Sequence, residues 1–185
     1  MRLETAKEVT SVLIDLLGSS CSRVEVAGSV RRESPEVWDI ELVAIPAYTP
    51  FDQLNFALDR AQNILAPGPP SKGMKKPPSG DRYKRLVHLP TETQVDLFIV
   101  RPPADWGVIF TLRTGPASFS HFLVTLALMQ GKKVEDGQLW ELTPQRRRID
   151  CPEEADFFRA LGYKLIPPNE RYLAIDFGGL AKWKL

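Results

Sequence analysis

The stretch Trp38 to Pro46, WDIELVAIP, alternates apolar side chains with two acids. A period of two marks a strand with distinct faces. Ile40, Leu42 and Ala44 share one face, while Asp39, Glu41, Val43 and Ile45 share the other. The run Gln94 to Val100 repeats the pattern, with Val95, Leu97 and Ile99 opposite Gln94, Asp96, Phe98 and Val100. Strands select against acids, so something must be gained by keeping three of them here.

Asp39 and Glu41 leave the same face with their Cα atoms roughly 6.5 Å apart. If the two strands are neighbours, Asp96 joins them. Three anions that close repel and raise one another's pKa values. The usual remedy is a divalent cation. Two ions about 4 Å apart, held by carboxylate oxygens, clamp the attacking and leaving oxygens of phosphoryl transfer. Mg²⁺ suits such oxygen donors and shares its shell with substrate phosphates, and Mn²⁺ can substitute.

Upstream, a strand from Arg23 to Ala27 stops at Gly28-Ser29. Gly28 has no Cβ to hold an anion away, and Ser29 offers a hydroxyl and an N–H. Arg31 and Arg32 come next, and Arg32 is the favoured phosphate ligand. This reads as a phosphate cradle joined to a metal site.

Elsewhere, Val9, Val12, Leu13, Leu16 and Leu17 predict a helix over Leu3 to Leu17, and the apolar spacing predicts another over Pro50 to Leu65. Five prolines and three glycines in Ala66 to Asp81 exclude regular structure there. Arg82 to Leu89 and Gln94 to Val100 read as a hairpin. The pattern changes after Arg101-Pro102-Pro103. Helices are expected over Trp106 to Leu112, Pro116 to Gln130 and Glu153 to Leu161, with short strands between Lys132 and Ile149 turning at Asp136-Gly137, and an irregular tail. The expected domains are residues 1–103, mixed α and β, and residues 104–185, a smaller α+β unit.

These residues bring the chain to a resemblance. GSVRRESPEVWDIE resembles the signature of the polymerase-beta-like nucleotidyltransferases. VDLFIVRPPADWGVIFTLRTGPASFSHFL is similar to the segment of family X DNA polymerases that runs from the palm into the thumb, and LGYKLIPPNER resembles the end of their thumb. The resemblance implies an α+β fold: a nucleotidyltransferase palm with a mixed sheet and flanking helices, then a smaller thumb. It implies two Mg²⁺ ions on Asp39, Glu41 and Asp96, the last helping to activate a primer 3′-hydroxyl. It implies a nucleotide held by Gly28, Ser29, Arg32, Arg113, Thr114 and Gly115. The sequence departs from the family at three points: Glu41 stands for an Asp, Trp38 for a small residue, and Leu112-Arg113 for an aromatic pair that checks the sugar. A single helix precedes the palm, so a minimal palm-plus-thumb form is expected.

A net charge of +1 excludes a polycation, so DNA affinity has to come from local patches. Lys72, Lys75, Lys76, Arg82, Lys84 and Arg85 form one, and Arg146, Arg147 and Arg148 another. Cys21 and Cys151 form neither a disulfide framework nor a metal spacing. Neither a signal peptide nor a membrane span is visible, so a soluble, intracellular protein is expected, cytoplasmic with nuclear or virion placement left open. A monomer is expected. The reading is a DNA polymerase that fills short gaps from dNTPs. The alternative is a template-independent nucleotidyltransferase with another nucleic-acid, protein or small-molecule acceptor, because one palm serves all of these.

Overall fold

A computed structural model describes residues 1–48, 50–172 and 177–185 of the chain. It divides into two units, Met1–Arg101 and Pro102–Leu185.

The first unit opens with α1 (Leu3–Gly18), whose Ala6, Val9, Leu13 and Leu17 are buried at helical spacing. Then come β1 (Cys21–Val26), the short turn α2 (Gly28–Arg31), β2 (Asp39–Pro46), α3 (Gln53–Arg60), β3 (Leu65–Pro67), β4 (Tyr83–His88) and β5 (Thr93–Ile99). The strands form one sheet in the order β1-β2-β5-β4-β3. β2 and β5 pair in parallel, and the other pairs are antiparallel. Ile40, Leu42, Ala44, Val95, Leu97 and Ile99 pack with α1 and Leu54 of α3 in one core. Fully burying each large aliphatic side chain contributes about 1.5–3 kcal/mol. That locks the strand faces, because a one-residue slip would carry every apolar side chain to the other face.

Two expectations need correction. The helix expected over Pro50 to Leu65 is shorter. Asp52 caps it, accepting from the Asn55 N–H at 3.1 Å. It ends at Arg60, because Leu65 pairs with His88 in the sheet. Ala66 and Pro67, expected to lie outside regular structure, instead continue β3. This is an edge strand, where a proline costs no internal ladder bond.

The second unit holds α4 (Trp106–Thr114), α5 (Ala117–Met129), β6 (Lys132–Glu135), β7 (Gln138–Glu141), β8 (Arg147–Ile149), α6 (Glu154–Ala160) and the short α7 (Phe177–Leu180). Its strands form an antiparallel sheet in the order β6-β7-β8. The β6–β7 hairpin turns at Asp136 and Gly137, with φ of 53° and 76°. Positive φ at both central residues is the two-residue turn that Asp-Gly favours. Val108, Phe119, Leu123, Leu139, Phe157 and Phe158 lie in a separate core. Single helical turns at Pro168–Glu170, Phe177–Leu180 and Ala181–Trp183 break up the tail expected to be irregular, and residues 173–176 of that tail lie outside the described residues. Among the described residues, no helix is long and apolar enough to cross a membrane.

Candidate active site

β2 and β5 are neighbours, in a register that sets Glu41 beside Asp96 and Asp39 beside Gln94. The three carboxylates therefore leave one face of two adjacent strands, opposite the apolar core. Burial pushes the Asp39 carboxyl above its ordinary value, and the charge of Asp96 adds to this, while Arg85 and Arg32 pull the other way. Asp39 thus feels the charge of Asp96.

Asp96 is nearly closed to solvent, at 7% exposure. Arg85, opposite it on β4, donates from Nε to Oδ1 at 3.0 Å and from Nη2 to Oδ2 at 3.3 Å. Gln94 Nε2 also donates to Oδ2, at 3.2 Å. Tyr83, stacked on Phe98 with ring centroids 5.0 Å apart, adds its hydroxyl. Burial, together with the hydrogen bond and charge of Asp96, pushes the Tyr83 phenol up to about 12. Among the described residues, no three acidic, histidine or cysteine side chains stand together in the arrangement of a metal site. The donor set itself still suits a hard cation, being all oxygen and anionic and on one face.

The turn expected after β1 forms as α2. Gly28 adopts a φ of +57°. A Cβ built there would lie 1.8 Å from Glu41 Oε2, so only glycine lets the turn close against that carboxylate. Ser29 Oγ is buried without a hydrogen-bond partner. A buried hydroxyl left unsatisfied is uncommon and fits a donor awaiting an acceptor. The all-oxygen set on β2 and β5, with this turn against Glu41, fits divalent cations and a phosphate ligand. Asp39, Glu41 and Asp96 are the residues that would hold the ions. Cys21 and Cys151, whose thiols burial pushes up to about 11 and about 12, stay protonated at neutral pH and offer no thiolate nucleophile.

The other residues expected at the site are more scattered. Arg113, Thr114 and Gly115 lie in the second unit, at the end of α4. A Cβ on Gly115 would meet Phe119 Cδ1 at 2.5 Å, so close packing with α5 requires this glycine. Lys72, Lys75, Lys76 and Arg82 are exposed, and Lys84 is half-buried. Arg85, expected on a DNA-facing patch, stands among the carboxylates instead. The arginine triplet is engaged with acids of its own unit: Arg146 with Glu135 at 2.5 Å, Arg147 with Glu141 at 2.8 Å, and Arg148 with Asp105 at 2.5 Å. A cleft of about 320 Å³ beside α3, lined by Asn55, Leu58, Gln62 and Leu65 among others, contains none of the carboxylates.

Sequence reasoning puts Gln94 on the face of Asp96 but misses Arg85 and Tyr83 as its companions. What is missing is the register. A hairpin in which His88 faces Thr93 must set Arg85 opposite Asp96 three residues further on.

The second unit, helices around a small antiparallel sheet, is of a known type. Residues 110–172, from within α4 to Tyr172, match the DNA polymerase beta thumb family. This stretch, about a third of the chain, relates the protein to the polymerase-beta-like family X. No curated protein matches the chain.

Proposed function

We propose that the protein is a metal-dependent nucleotidyltransferase of family X type, which adds a nucleotide from a dNTP to a DNA 3′-hydroxyl and fills short gaps. The observation that carries this reading is the parallel pairing of β2 with β5. It gathers Asp39, Glu41 and Asp96 on one face, with the Gly28-Ser29 turn packed against Glu41. The thumb match supports a DNA partner and a polymerase of this family.

Two Mg²⁺ or Mn²⁺ ions on the three carboxylates would supply positive charge to the attacking and leaving oxygens. The other roles belong to the chain. The turn at Gly28 brings backbone close to the phosphates, and Ser29 Oγ donates to a phosphate oxygen. Arg32 adds charge there. Asp96 accepts the proton of the 3′-hydroxyl on a carboxylate oxygen. The exposed Lys72, Lys75 and Lys76 neutralise backbone phosphates without reading sequence.

Primer extension on a one-nucleotide gap tests the reading. Each dNTP and rNTP is offered singly, with Mg²⁺ and then Mn²⁺, beside an Asp96→Asn control. The expected result is insertion of the complementary nucleotide alone, lost in the control. Addition regardless of template would move the function to the untemplated transferase. No addition to any DNA end would overturn the polymerase reading.

A further inference from the structure

We infer that Arg85 is a gate on the third carboxylate: its guanidinium holds both oxygens of Asp96 and competes with any cation for them. This rests on the metal-site reading above and adds a residue to it. The geometry is a cross-strand fork, with Nε on one oxygen and Nη2 on the other. Bidentate pairing of this kind is the strongest form of carboxylate hydrogen bond.

The guanidinium makes two further contacts in the same conformation. Nη1 of Arg85 donates to Ser71 Oγ at 3.0 Å, and Ser71 belongs to the proline- and lysine-rich segment after β3. The guanidinium also lies 5.9 Å from the Tyr83 ring centroid, a second surface on which a cation is stabilised. The pair has two opposite effects. It stabilises the fold, because a carboxylate that is almost wholly buried would otherwise lack a counter-charge beside Asp39 and Glu41. It also competes with any cation, because the guanidinium takes a lone pair on each oxygen and its charge repels a dication. Arg85 is a positioning residue, acting on the reaction through Asp96.

A purely supporting role predicts that removing Arg85 weakens both stability and cation binding. A gate predicts that they move in opposite directions. The experiment titrates Mn²⁺ alone into wild type, Arg85→Gln, Arg85→Lys and the double variant Arg85→Gln/Asp96→Asn, reading bound Mn²⁺ by electron paramagnetic resonance. Each protein is also melted in EDTA, with circular dichroism as the check on folding. Arg85→Gln is expected to lower Tm in EDTA by about 5–10 °C and to bind Mn²⁺ about tenfold more tightly than wild type. Arg85→Lys, which keeps the charge but loses the fork, is expected to fall between the two and serves if the Gln variant does not fold. The gain is expected to vanish in the double variant. Affinity in Arg85→Gln equal to or weaker than wild type would overturn the gate and leave the metal site standing. A gain that survives Asp96→Asn would also overturn it, since Arg85 would then act elsewhere. Absence of Mn²⁺ binding by every folded variant would bring down the metal-site reading, and the gate with it.

Discussion

Two residues carry more than their types suggest. Gly28 sits at a φ of +57° with the Glu41 carboxylate where a side chain would begin. Gly28→Ala is expected to cost about 1–3 kcal/mol of stability, part backbone strain and part displaced carboxylate, and to reduce activity with it. Gly73 provides the comparison, because its φ is +83° but nothing lies within 4 Å of its missing Cβ. Gly73→Ala should show the backbone cost alone, of about 1–2 kcal/mol. Urea unfolding of both separates the two contributions. Arg171 is the second such residue. It is fully buried, donates to Glu154 at 3.0 Å and twice to the Ile166 carbonyl, and lies under the Phe158 ring. Arg171→Met takes the guanidinium away from the buried Glu154 carboxylate and is expected to cost about 3–5 kcal/mol. Arg171→Met/Glu154→Leu, with both charges gone, should recover more than half of that in the same unfolding measurement.

Among the elements, the β6–β7 hairpin has a built-in acid response. Hydrogen bonds from Lys133 and Arg146 hold the Glu135 carboxyl down to about 2. A depressed carboxyl stabilises the folded form above its unfolded value, near 4.5. That contribution fades as the pH falls from about 4.5 through about 2. A carbon-13 carboxyl titration should put the Glu135 midpoint near 2, and Arg146→Ala should raise it toward the ordinary value. The β4–β5 hairpin shows the limits of reading elements singly. Alternation makes its strands legible, along with the face that Asp96 takes. Alternation leaves the register open, so it sends Arg85 to solvent and DNA, whereas the paired strands set it against a carboxylate.

For the molecule as a whole, the cores are separate. Leu13, Leu42 and Leu97 belong to one, and Leu123, Phe157 and Phe158 to the other. Each unit buries its own apolar faces, so residues 1–101 and 102–185 expressed separately should each melt cooperatively, as monitored by circular dichroism. A fragment 102–185 with no cooperative melt would mean that the second core is insufficient alone, since its size is near the limit for independent folding.

The sequence alone determined what depends on local period. The two strands, their apolar and acidic faces, the amphipathic first helix and the Asp-Gly turn are all written in spacings of two to four residues. The order of motifs carried the family X resemblance, and the thumb match bears out that relationship. The tertiary structure decided what depends on partners distant in sequence. It set β2 beside β5, closed the Gly28 turn onto Glu41, ended α3 early to feed the sheet edge and joined Arg171 to Glu154. It also placed Arg85 on Asp96. An arginine on a half-buried strand carries no local mark of whether it faces water, phosphate or a carboxylate. Only the pairing of the next strand settles that, because the favourable partner is an unlike charge eleven residues away.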